Sequence, residues 1–177
     1  MDILAHGLWG GAAFGWKRKY GWAFLFGMLP DLSAFGPYFV YRILSGTLKF
    51  GKPEIASIPS AVFIAYNFSH SLFTAAAVLL LVRFAISKEL FISACAYPLH
   101  ILCDIPTHDK TFFPTPFLFP VSDFRVNGIS WGNKYFMLIN YAALLTAYFI
   151  YFRYKAKEKV RENLSGGQII FPAGREQ

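Results

Sequence analysis

Ile55-Ala-Ser-Ile-Pro-Ser-Ala-Val-Phe-Ile-Ala-Tyr-Asn-Phe-Ser-His70-Ser-Leu-Phe-Thr-Ala-Ala-Ala-Val-Leu-Leu-Leu-Val82 contains no Asp, Glu, Lys or Arg. A helix crosses the ~30 Å hydrocarbon core of a bilayer with about 20 apolar residues, and this stretch is longer than that. Tyr135 to Phe152 is a second run without a formal charge. Three weaker segments accompany them. Ile3 to Trp16 is apolar but short and glycine-rich; Gly21 to Leu44 is interrupted by Asp31 and Arg42; Leu90 to Ile105 is interrupted by His100 and Asp104, with Pro98 inside it. The expected architecture is all-α: an integral membrane bundle of four to five apolar segments.

Composition agrees. Of the 177 residues, 55% are hydrophobic, 19% aromatic and only 15% charged, with a mean hydropathy of +0.40. Soluble domains carry about 25% charged residues, and a water-soluble chain of this size would leave too much apolar surface exposed. The net charge of +7 does not point to nucleic acid, and no nucleic-acid partner is expected. The basic residues flank apolar segments in short clusters: Lys17, Arg18 and Lys19; Arg83 and Lys88; Arg153, Lys155, Lys157, Lys159 and Arg161. That is the pattern of membrane topology and contact with anionic lipid. Placing these clusters in the cytoplasm puts eleven of the seventeen basic residues inside. The N-terminus and the loops at 46–59 and 106–134 then lie outside, and residues 154–177 form a polar, basic cytoplasmic tail behind a membrane-embedded domain of residues 1–153. That tail is expected to be a frayed helix that gives way to disorder. No cleavable signal peptide is expected, because Asp2 precedes the first apolar stretch and the basic cluster follows it.

Residues 106–134 hold prolines at 106, 114, 116 and 120 together with Gly128 and Gly132, too many breaks for a regular helix. Their aromatic residues suit the membrane interface. Cys95 and Cys103 lie eight residues apart, ~12 Å along a helix, too far for a disulfide. They read as small buried residues. Leu164-Ser-Gly-Gly-Gln168 spells an ATP-binding cassette signature, but the chain has no Walker A loop to make it meaningful.

All four histidines, His6, His70, His100 and His108, fall within the apolar segments or directly after one, in company with Asp2, Asp31 and Asp104. A lone histidine in an apolar run is more often a satisfied core residue than a ligand. Several ionisable groups are harder to dismiss, since each costs ~2.5–3.5 kcal/mol at membrane depth. A divalent metal is their simplest common partner, and imidazole with carboxylate is a normal ligand set for zinc and its neighbours. His100 and Asp104 stand at i and i+4, on one helix face. Pro106 is expected to end or kink that helix, so that His108 folds back from a loop. His70 lies in a polar knot, Asn67-Phe-Ser-His70-Ser71. Asp31 follows Pro30, which can open the helix and free carbonyls near the carboxylate. Asp2 is as good a helix cap as a ligand.

Met1-Asp2-x-x-Ala5-His6-Gly7-Leu8-Trp9, Gly27-x-Leu29-Pro30-Asp31, His70-Ser71 and His100-x-x-x-Asp104-x-x-Thr107-His108 before a proline-rich stretch resemble the bacterial membrane-bound metal-dependent hydrolases. That family is also labelled LexA-binding, inner-membrane-associated hydrolases, and the resemblance spans roughly residues 1–150. The family is related in turn to the zinc-dependent phospholipase C and P1 nuclease group, helical bundles in which His and Asp ligands from separate helices hold a zinc cluster. The resemblance implies an inner-membrane location and one or two zinc ions. His6 would bind one ion, and Asp31, His70 and His100 the other; Asp104 would bridge them, and His108 is a further candidate ligand. Asp104 or Asp31 would take the proton from metal-bound water. An active site near the outer leaflet, rimmed by the aromatic loop 106–134, suggests a lipid or lipid-linked phosphoester as substrate. No histidine follows His108, so the later His-x-x-x-Glu pair of three-metal members is absent. Two other functions use the same residues: a transporter with a His/Asp pathway, and a metal-stabilised regulatory or scaffold protein with a protein partner.

Overall fold

The computed structural model describes residues 1–15, 19–49 and 53–166, which contain helices and no strand. Helix α1 (Ile3–Phe14) is capped by Asp2, whose carboxylate accepts from the Ala5 amide at 3.0 Å; the capping role is the one this residue takes. Then come α2 (Tyr20–Leu44), α3 (Ser60–Ser69), α4 (Leu72–Leu81, prolonged by a π turn over Val82–Ile86), α5 (Phe91–Ala94), α6 (Ala96–Thr107) and α7 (Lys134–Gly166).

Two helices, α2 and α7, are long and apolar enough to cross a membrane, and α3 with α4 and its π turn make a third candidate if that pair counts as one span. The pair bends by 63° at its break. Such a protein is compatible with membrane association. Helix α1, with 12 residues, reaches only ~18 Å, less than the ~30 Å core. Its role in the fold is close packing on α2. A Cβ on Gly27 would stand 2.6 Å from the His6 carbonyl oxygen, and one on Gly10 2.7 Å from that of Ala23. Small residues let the two backbones meet, the usual device of helix pairs in membranes.

Helix α7 leans on α1 through polar contacts at three levels. Trp9 Nε1 donates to Asn140 Oδ1 (2.9 Å), the Tyr148 hydroxyl to the Leu8 carbonyl (2.9 Å) and the Tyr151 hydroxyl to the Gly15 carbonyl (3.4 Å). Its other faces carry exposed Leu138, Ile139, Leu145 and Phe149, as a lipid-facing surface requires. The helix passes residue 153 without a break and continues to Gly166, through the stretch where helix is expected in the tail. Lys19 Nζ pairs with Glu89 Oε2 at 2.7 Å at the opposite end of α2 from Arg42. Lys17 and Arg18 lie outside the described residues, as do positions 167–177 of the tail.

The proline-rich stretch is non-helical and tied down. The Gly128, Ile129 and Trp131 amides donate to the carbonyls of His108 (2.8 Å), Pro106 (2.9 Å) and Thr107 (2.9 Å). Farther along the same loop, the carbonyls of Phe117 and Phe119 accept from the Leu72 amide (3.0 Å) and the Ser71 hydroxyl (2.5 Å). The loop therefore packs against both the end of α6 and the α3–α4 break.

Candidate metal centre

The fold brings His6 of α1, Asp31 of α2, His70 at the α3–α4 break, His100 and Asp104 of α6, and His108 just after α6 to one place. All are buried except Asp31, whose side chain keeps 13% of its exposure. Pro106 sits in the last turn of α6, which ends one residue later at Thr107, as a proline that removes an i→i−4 bond and crowds the preceding turn leads one to expect. His108 then turns to extended backbone (φ −115°, ψ 132°) and its ring folds back over the helix end.

Asp104 is the hub. Its Oδ1 lies 2.8 Å from His6 Nε2, 3.3 Å from His108 Nε2 and 2.5 Å from the Met1 amine; its Oδ2 lies 3.2 Å from His100 Nε2 and 3.6 Å from His70 Nε2. Asp31 Oδ1 is 3.4 Å from His70 Nε2 and 3.9 Å from His100 Nε2. Each oxygen of Asp104 thus faces a different set of imidazoles.

The ring hydrogens follow from the outer partners. A carbonyl can only accept, so His100 Nδ1, 2.6 Å from the Gly27 carbonyl, carries a hydrogen, and so does His108 Nδ1, 2.7 Å from that of Phe113. The Ser69 hydroxyl donates to the Tyr66 carbonyl (3.3 Å), leaving its oxygen to accept from His70 Nδ1 at 2.9 Å. Three rings therefore direct Nε2 inward. Metal-binding histidines are commonly oriented in this way by an outer oxygen. His70 Nε2 and His100 Nε2 stand only 3.1 Å apart. Two lone pairs at that distance repel, and a positive charge between them, a proton or a metal ion, removes the conflict. His6 stacks on His100 (centroids 3.5 Å, 19°). Its 2.8 Å contact with Asp104 lacks the alignment of a hydrogen bond, so both ring nitrogens of a fully buried histidine have none. Orphaned buried polar atoms of this kind call for a ligand.

A tetrahedral ion with bonds of about 2.0–2.1 Å sets its donors roughly 3.3 Å apart. The His70–His100, His100–Asp104 and His70–Asp31 separations are 3.1, 3.2 and 3.4 Å. Two overlapping sets satisfy the spacing of a metal site, His6/His100/Asp104 and Asp31/His70/His100. These buried groups can hold a metal ion, with His108 added through Asp104. The residues fit the group.

Five supporting residues, Gly27, Tyr66, Ser69, Tyr97 and Phe113, are not singled out by the sequence as positioning groups. Gly27 and Phe113 act through backbone oxygens, and Phe113 does so from a left-handed φ of +50°, a strained conformation for an aromatic residue. Its carbonyl accepts from both His108 and the Tyr66 hydroxyl (2.8 Å). Tyr66 also stacks on His70 (3.8 Å), and Tyr97 donates to the Ser69 carbonyl (2.8 Å), fixing the α3–α4 break. Only Ser69 lay in a stretch already marked as polar.

A cavity of about 210 Å³ reaches the centre along the wall formed by Asp31 and His108. Comparison with known protein families, curated proteins and solved structures finds no match. The fold and site define a class by chemistry alone: an all-helical chain with membrane-type helices and a buried His/Asp cluster able to hold a metal ion.

Proposed function

We propose that this chain is a membrane-bound, metal-dependent hydrolase acting on a phosphoester or lipid-type substrate, built from four to five apolar segments around a phospholipase C-like centre of one or two zinc ions. The observation that carries this reading is the convergence of inward-facing histidine Nε2 atoms on two carboxylates beside a cavity. A bound divalent ion would supply water of lowered pKa, about 7, and polarise a phosphoryl or acyl oxygen.

The residues divide the remaining work. Asp104, 1% exposed among the histidines, is placed to hold the centre together. Asp31 keeps more exposure and lines the cavity, so it is the carboxylate placed to take the proton. A structural centre is closed by its protein ligands, whereas a catalytic one keeps a position for water; the cavity at Asp31 and His108 favours the catalytic case over a scaffold.

Depth supports a membrane substrate. On α7, Lys134 to Arg153 measures ~28 Å at ~1.5 Å per residue, close to the hydrocarbon thickness. Tyr141, whose hydroxyl donates to Asp2 at 3.1 Å, marks the level of the centre, ~10 Å from Lys134 and ~18 Å from Arg153. With the basic tail cytoplasmic, the centre faces the outer leaflet of the inner membrane.

The test is twofold. Protein purified without chelator carries one or two equivalents of transition metal and cleaves bis(p-nitrophenyl) phosphate or a phospholipid, with activity lost on chelation and restored by zinc or manganese. Elemental analysis that finds no metal would remove the basis of the reading.

A further inference from the structure

The cavity beside the centre is built for something apolar. Its ionisable lining groups are Asp2, Asp31, His108, the Tyr38 phenol and the Met1 amine; Asp2 is engaged as a helix cap and by Tyr141, Tyr38 by Arg42 and the Met1 amine by Asp104. Phe35, Tyr38, Ile58 and Phe113 form its walls, Phe113 backing onto His108, while exposed Phe39 and half-buried Trp131 complete the lining. We infer that this cavity receives a compact apolar group, about eight carbon atoms in size, joined to the anionic group that the metal centre engages. The substrate class is therefore a medium-chain or similarly small amphiphile. This rests on the metal-centre reading for the anionic end and adds the apolar end.

Size follows from volume. An engineered apolar cavity of 150 Å³ holds benzene, so 210 Å³ accommodates roughly eight heavy atoms in proportion. The walls resist expansion. Phe113 stacks on Phe63 (4.7 Å), meets Phe35 edge-on (5.0 Å), and has its backbone held by Tyr66 and His108. A longer chain would extend past Phe39 into the adjoining space that shares Tyr38, Phe39 and Pro53 and carries the polar Arg42, Lys49 and Glu54.

Methylphosphonate and octylphosphonate, which share the anionic group, test this on the full chain reconstituted in lipid nanodiscs with zinc. The readout is binding by calorimetry, not turnover. Octylphosphonate is expected to bind at least tenfold more tightly than methylphosphonate. Ile58→Trp, which fills the cavity, is expected to cut that ratio below threefold and leave methylphosphonate affinity within twofold of wild type. Phe39→Trp at the rim is the second variant should Ile58→Trp fail to insert. Equal affinities in the wild type would overturn this inference while leaving the metal centre intact, and so would a chain-length preference that survives filling. Binding of neither phosphonate overturns both readings. Octyl selectivity in a protein without hydrolytic activity supports the cavity assignment and sinks the hydrolase.

Discussion

Replacing Asp104 with Asn preserves shape and removes one buried negative charge from the point where four imidazoles meet. Oδ1 and Oδ2 serve different histidines, at 2.8 and 3.3 Å on one side and 3.2 and 3.6 Å on the other. An amide keeps one acceptor and turns the other atom into a donor, so one of the two donor sets loses its carboxylate oxygen outright. Outer-shell changes alone cost 10–100-fold in metal affinity, and loss of a shared carboxylate is expected to cost at least about 100-fold on that scale. With metal at 100 times its dissociation constant, binding stabilises the wild type by ~2.7 kcal/mol. At about 2–4 °C per kcal/mol for a chain of this size, chelation lowers the wild-type melting temperature by roughly 5–11 °C. Asp104→Asn should lose that chelation-dependent shift while staying inserted and helical by circular dichroism. His108→Ala is the comparison, since His108 Nε2 approaches only Asp104 among the acidic groups; it should retain at least half of the metal. Equal metal content in the two variants, or an undiminished shift in Asp104→Asn, would refute the placing of Asp104 at the hub.

Gly27→Ala puts a Cβ 2.6 Å from the His6 carbonyl, so α1 must move away from α2; metal content should fall with little loss of membrane insertion, and full occupancy in this variant would show that the α1–α2 crossing does not set the centre. The Lys19 ammonium beside Glu89 holds that carboxyl below its ordinary 4.5, so the contact is complete above that value and lost as pH falls through the lowered one; Lys19→Ala should return Glu89 to the ordinary range in a carboxyl NMR titration. For topology, a cysteine at Asn163 should resist an impermeant thiol reagent in intact cells and react after lysis, and labelling in intact cells would place the tail outside.

The helices were legible because charge-free runs of this length have few other structures available, and the loop at 106–134 because its prolines forbid one. The bend at His70 was visible only as polarity. Asn67, Ser69 and Ser71 announced a departure from a plain span, but its 63° angle is set by contacts with distant residues, Tyr97 on the Ser69 carbonyl and Phe119 under Ser71. Pro106 marked the end of α6 to within one residue: the helix stops at Thr107, and two carbonyls left free at that end, those of Pro106 and Thr107, are taken by the Ile129 and Trp131 amides. Beyond Arg153 the helix persists on good helix formers and the Lys155–Glu158 pair. The gathering of the His and Asp residues followed from the cost of burying each alone. What orients them did not, since the Gly27 and Phe113 oxygens belong to the backbone and every residue has one.

The distribution of polar groups along the bundle bears on the choice between the proposed catalytic centre and a transport pathway. A proton or ion relay needs titratable or coordinating groups at intervals from one face of the membrane to the other. Here they are confined to one level. Between that level and the Lys19 and Arg153 end, α1 from Gly7, α2 up to Pro30, α4, α5, α6 up to Leu99 and α7 from Tyr141 to Phe152 contain no Asp, Glu, His, Lys or Arg. The tyrosines between the ends of that region, Tyr20, Tyr97, Tyr148 and Tyr151, bond to one another or to backbone carbonyls and so serve helix packing. In the other direction the centre meets a cavity lined by aromatic side chains. A site approached from one side and backed by apolar helices on the other suits the proposed hydrolase better than a transport pathway.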